Sequence, residues 1–187
     1  MATHGNSLTF GNGDYLVVVD RVNVRTGAGV QHGLNGGIQR GVRVPIIEVR
    51  ELVFHGGTGD IATTEMWGRI GNSHGTASQR GSWINLVQRT TQGSPHVWTA
   101  GTTERGNLHA IRISSASGNV RNNTAGNVTL RHGPGTIFPQ GGSIASGTTV
   151  AITNTVTPPN GFSTATAPGP WLRHSATGLW FNRHVMG

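Results

Sequence analysis

The residues able to do chemistry are few and scattered. Gly71-Asn72-Ser73-His74-Gly75 fits the Gly-x-Ser-x-Gly pattern of a nucleophile elbow, in which a serine sits on a sharp turn between a strand and a helix. The next residues, Thr76-Ala77-Ser78-Gln79-Arg80-Gly81, have no apolar helical face, and no Asp occurs after Asp60. The pattern reads as a hairpin loop. Nine histidines raise metal binding, yet none forms a His-x-x-x-His pair or sits among nearby carboxylates. The seven acids show no spacing suited to paired-carboxylate hydrolysis. With no cysteine, thiolate metal sites, disulfides and cysteine nucleophiles are excluded. The chain reads as a non-enzyme, and no cofactor or metal is expected.

A different constellation suits binding. The dipeptide Arg-His occurs three times in the second half, as Arg131-His132, Arg173-His174 and Arg183-His184. Neighbouring side chains on a strand point to opposite faces, so one member of each pair is expected to be exposed. Three arginines on one face would form a basic patch able to hold carboxylates or phosphates. Trp171 and Trp180 stand beside these pairs and read as core or groove floor. The candidate binding residues are therefore Arg131, His132, Trp171, Arg173, His174, Trp180, Arg183 and His184.

The charge distribution points the same way. All fourteen basic residues are arginine, as a GC-rich genome would encode, and all seven acids lie at or before Glu104. Residues 1–104 hold eight Arg against seven acids, a net +1; residues 105–187 hold six Arg and no acid, a net +6. Such an imbalance speaks to partners rather than to fold, and the second half is expected to prefer an anionic surface. The arginines are spread along the chain and no aromatic-plus-basic motif accompanies them, so nucleic acid is not the expected partner. No apolar run approaches the roughly 18 residues that span a bilayer, so membrane insertion is not expected, and the first residues read as lacking a secretory signal.

The elements that must position these residues are strands. The 187 residues include 30 glycines and only 11% charged residues, and Val and Ile recur in alternating runs. That mixture specifies an all-β chain of short strands and many turns. The chain also repeats itself. Val22-Asn23-Val24-Arg25-Thr26-Gly27-Ala28-Gly29 reads again as Val128-Thr129-Leu130-Arg131-His132-Gly133-Pro134-Gly135. The same offset of 106 residues then pairs Gly36 with Gly142, Ile38 with Ile144, Gly41 with Gly147, Val44 with Val150 and Ile46 with Ile152. Chance does not sustain one register through so many identities, so the chain is an internal duplication. In each copy a strand (42–49 or 149–155) begins just after the turn glycine. Tryptophan strands close the copy: Trp67-Gly68-Arg69-Ile70 and Ser82-Trp83-Ile84-Asn85-Leu86, then Trp171-Leu172-Arg173-His174 and Leu179-Trp180-Phe181-Asn182.

The order apolar-Asn-apolar-Arg-x-Gly-x-Gly, Ile-x-x-Gly-x-x-Val, Trp-x-x-Ile and Gly-x-Trp-Ile resembles the bacterial Src-homology-3 domain. The resemblance covers about 14–89 and 120–187, with Thr129 standing where the first copy has Asn23. The first copy departs from the pattern by an insertion over 51–65, the second by Pro158-Pro159 and Pro168-Gly169-Pro170. The expected organisation is a flexible lead over 1–13, an SH3-like repeat over 14–89, a Gly/Thr/Ser-rich linker or arm over 90–107, and a second repeat over 108–187. Within the last, residues 108–113 are expected to form a strand, as the counterpart of 15–20. The resemblance implies an extracellular working place. It also makes the acceptor-like Asn122-Asn123-Thr124 and Asn127-Val128-Thr129 irrelevant as glycosylation sites. The leading expectation is an accessory structural protein of a phage virion, a capsid decoration or tail component, whose basic repeat docks on other structural proteins with acidic surfaces. The alternative is a peptidoglycan-binding module of a cell-wall hydrolase.

Overall fold

The computed structural model describes residues 2–4, 8–55, 61–92, 104–156, 170–183 and 186. The chain is all-β and divides into two compact units, whose boundary among the described residues falls between Arg112 and Ile113. No helix among the described residues is long and apolar enough to cross a membrane.

In the first unit, β1 (Ala2–His4) and β2 (Leu8–Phe10) form a two-stranded antiparallel sheet of their own. The larger sheet holds β3 (Gly13–Val17), β4 (Arg21–Arg25), β5 (Leu34–Gln39), β6 (Arg43–His55), β7 (Ile61–Ile70), β8 (Trp83–Gln92), β9 (Glu104–Leu108) and β10 (Ala110–Arg112). Its order is β10-β3-β6-β7-β8-β4-β5, with β9 also paired to β8. The second unit contains β11 (Ser114–Arg121), β12 (Val128–Arg131), β13 (Gln140–Ile144), β14 (Thr149–Val156), β15 (Trp171–His174) and β16 (Trp180–Asn182), in the order β11-β14-β15-β16-β12-β13.

The two orders are the same once β9 and β10 are set aside. Val22 faces Ile38 across β4 and β5 as Val128 faces Ile144 across β12 and β13, and both pairs of strands carry a bulge before the arginine. Such agreement comes from pattern. Val22 and Val24 are buried between exposed or half-buried neighbours, and Val128 and Leu130 repeat this, so a slip of one residue would turn each apolar set outward. The turn before β6 or β14 uses Gly41 at φ +83° or Gly147 at φ +75°, a left-handed conformation that other residues adopt only at a cost. Val128, Leu130, Ile144, Val150, Leu172, Phe181 and Met186 form the core of the second unit.

Three boundaries differ from the sequence expectation. The stretch expected as a strand over 108–113 does not begin the second repeat, since only Ile113 falls in the second unit: Ala110 and Ile111 are buried, and β10 pairs with β3 through Ile111 and Leu16. The second unit's counterpart of β3 is instead β11, since Val120 faces Val150 as Tyr15 faces Val44. The supposed linker supplies the end of β8 and all of β9 except Leu108, and the two strands pair from Val87 and Leu108 out to Thr91 and Glu104; residues 93–103 lie outside the described residues. His109 joins β9 to β10, its amide donating to Leu86 O and its carbonyl accepting from Val18 N, both at 2.9 Å. This joint closes β3, β6, β7 and β8 into a ring and removes two exposed edges. The lead contributes β1, β2 and the start of β3, and Tyr15 is anchored to it by hydrogen bonds with Gly11. The insertion over 51–65 lengthens β6 and β7 into a long paired ribbon, with residues 56–60 outside the described set.

Candidate binding grooves

The repeated arginine has a structural task in both units. Arg25 donates from Nη1 to His32 O at 2.7 Å, and Arg131 donates from Nη1 to Phe138 O at 2.9 Å. These carbonyls also correspond under the repeat, so each arginine pins the glycine loop that comes after its own strand. The next strand places a tryptophan beside it: Arg25 and Arg69 both face Trp83, and Arg131 and Arg173 both face Trp180. Residues directly opposite on neighbouring strands share a face, so each unit carries an Arg-Trp-Arg row on one face of its sheet; in the first unit Trp83 packs there with Trp67 and Ala28. Two residues along the same strands, Trp67 faces Asn85 and Trp171 faces Asn182.

Arg25 with the Trp67–Asn85 pair, and Arg131 with the Trp171–Asn182 pair, line two grooves in equivalent places. The first has a volume of about 300 Å³ and is lined by Val22, Asn23, Arg25, Val30, Trp67 and Asn85, among others. The second, of about 450 Å³, is lined by their counterparts Val128, Thr129, Arg131, Thr136, Trp171 and Asn182. The lining of the first groove also includes Glu65, Gln88 and His109, which have no counterpart in the lining of the second. Glu65 comes from the ribbon insertion and His109 from the β9–β10 joint. Glu65 is buried, accepts from Trp67 Nε1 at 2.7 Å and from Gln88 Nε2 at 3.4 Å. Burial pushes the His109 imidazole below its ordinary value, against a hydrogen bond to the Asn85 backbone that favours protonation.

The second groove is left differently. Trp171 is 3% exposed, and its buried Nε1 has no hydrogen-bond partner among the described residues. A buried donor left unpaired costs about 1–3 kcal/mol. In the sequence the residue two before Trp171 is Gly169, outside the described residues, where the first copy has Glu65 before Trp67. No acidic residue occurs anywhere from 113 onward, while Arg121, Arg131, Arg173 and Arg183 do.

Of the sequence candidates, the structure brings Arg131 and Trp171 together at the second groove. Trp180 is buried between Arg131 and Arg173 in the strand register. The three arginines do not share one strand face. Arg131 and Arg173 do, whereas exposed Arg183 comes after the end of β16 and donates its amide to Pro170 O at 2.9 Å. Arg173 donates from Nε to Gly178 O at 2.9 Å within the β15–β16 hairpin. His174 is also engaged there, with Nδ1 2.8 Å from Thr177 Oγ1, and His132 is exposed in the glycine loop. His184 lies outside the described residues. Sequence reasoning missed Asn182 and Thr129 as groove residues and the pairing of Glu65 with Trp67. The recurring Trp-x-Asn of Trp83-Ile84-Asn85 and Trp180-Phe181-Asn182 was the available signal.

The Gly71–Gly75 stretch is a turn. His74 N donates to Gly71 O, His74 Nε2 lies 3.0 Å from Gln79 Oε1, and a three-residue 3-10 turn (Ala77–Gln79) stands where an elbow needs a helix. No group of three or more His, Asp or Glu suited to a metal occurs among the described residues. No protein-family model matches the chain, and neither curated proteins nor solved structures give a match.

Proposed function

We propose that this chain is a non-catalytic docking protein of a larger assembly, an accessory component of a phage virion of the capsid-decoration or tail type. It attaches through protein–protein contacts made by its second unit. The observation that carries this reading is the contrast between the grooves. They share strands, tryptophan, arginine and register, yet the first has the chain's own carboxylate in its lining, whereas the second is larger and has no acid in its lining. A stretch that from residue 113 onward has four arginines and no acid attracts an acidic partner and disfavours a basic one. The likeness of both opening motifs to bacterial Src-homology-3 domains supports a binding role, and a tandem of small β units with unlike surfaces suits a bridging component.

Co-sedimentation tests the proposal. The purified chain should sediment with assembled particles of its cognate phage and show little affinity for purified sacculi, with retention falling as salt rises because the contact is electrostatic. Retention on sacculi without retention on particles would replace this reading with a wall-targeting module.

A further inference from the structure

The geometry points to the second groove as a receptor for one carboxylate side chain, an Asp or Glu projecting from an acidic segment of a partner protein, held by Trp171 Nε1 beside Arg131. This rests on the docking reading and names the contact within it. The first unit supplies the precedent. There the equivalent indole is bound by Glu65 Oε2 at 2.7 Å, in a groove whose six corresponding lining positions include Arg25, Asn85 and Trp67. The second unit repeats the indole, the arginine and the asparagine but not the acid. Its indole N–H is buried and has no partner among the described residues, and its groove is larger by about half, 450 Å³ against 300 Å³.

Each feature selects against other ligands. An indole N–H is a donor only, so its partner must be an acceptor. The surrounding charge is positive, so an anionic acceptor is favoured over a neutral amide. A carboxylate entering the groove would take the position that Glu65 holds in the first copy. Because the indole nitrogen is sealed from solvent in the free chain, the ligand enters by displacing rim side chains, and a slender side chain does so more readily than a bulky headgroup. The first unit serves as the built-in control, since its own carboxylate occupies the same position.

The test uses the full chain labelled with nitrogen-15. Its five tryptophans give separate indole resonances, assigned by single Trp→Phe variants. Titration with the blocked peptide acetyl-Gly-Glu-Gly-amide should move the Trp171 indole proton downfield and saturably, while Trp67 stays in place. The Gln peptide should bind at least about tenfold more weakly, since it lacks the charge. Glu65→Gly should make Trp67 respond as Trp171 does. A Trp171 resonance that ignores the Glu peptide, responds equally to the Gln peptide, or moves in step with Trp67 in the unaltered chain would overturn the assignment. So would a response confined to a peptide ending in a free C-terminal carboxylate. If Trp171 is silent while the chain still sediments with particles, the groove assignment falls and the docking reading stands. If Trp171 responds but no particle is bound, the docking reading falls.

Discussion

Replacing Asn122 with Ala should destabilise the second unit selectively. Asn122 is fully buried at the end of β11 and uses its whole side-chain capacity. Its Nδ2 donates to Gly126 O and to Ile144 O, each at 2.9 Å, and its Oδ1 accepts from Thr124 N at 3.0 Å and Thr124 Oγ1 at 2.7 Å. The side chain thus ties the turn before β12 to the end of β13, and through its own strand to the edge of the sheet. Gly126 O keeps a partner in Thr124 Oγ1 after the replacement, so Ile144 O is the acceptor that loses its buried amide donor. Each net hydrogen bond contributes about 0.5–1.5 kcal/mol, and an orphaned buried group costs about 1–3 kcal/mol. Allowing for relaxation of the turn, the loss is about 2–4 kcal/mol. A unit of this size holds about 4–10 kcal/mol in all, so the change removes a large share. Urea unfolding followed by the resolved indole resonances separates the units, with Trp67 and Trp83 reporting the first and Trp171 and Trp180 the second. The midpoint for the second unit should fall by about 0.7–4 M, given slopes of about 1–3 kcal/mol per M, with the first unit unchanged. A shift corresponding to less than about 0.5 kcal/mol would refute the reasoning, because it would mean that the Asn122 amide is not sealed from water.

Two further perturbations read out the first unit by pH. His109 is held below its ordinary value by burial, so the unfolded chain binds its proton first as pH falls. The stability it contributes is present above about pH 6.5 and is lost as pH drops through the lower folded value. Urea midpoints for Trp67 should decline on acidification across that window, and His109→Gln should flatten the decline; an unchanged slope in the variant would refute the assignment. Tyr15, the one tyrosine in the chain, is shifted the other way, since burial raises its phenol against the opposing effects of the Gly11 backbone bond and Arg112. Its contribution is complete below about pH 10 and is lost as pH rises through the higher folded value. The native chain should therefore show no phenolate absorbance at a pH where urea-unfolded chain is already half ionised, and coincident titrations would contradict the burial.

Much of the fold is set by local pattern. The alternation of Val22 and Val24, and of Val128 and Leu130, specifies which strand face is buried, because side-chain direction in a strand has a period of two. Gly41 and Gly147 mark the same turn, since a left-handed residue there favours glycine. From the constant offset between them the duplication was legible, and with it the equal strand order. What tertiary structure alone decided is the allegiance of segments with no distinctive local signal. Residues 104–112 complete the first ring rather than open the second repeat, because their place depends on the edge of β8 and on that of β3, which lies far away in sequence. The grooves are of the same kind. Glu65 and Trp67 are two residues apart, but Gln88 and His109 arrive from other strands, and only the folded sheet sets the carboxylate against the indole. Trp171 was visible from the start; that its N–H has no such partner depends on burial and long-range packing, which no window of sequence contains.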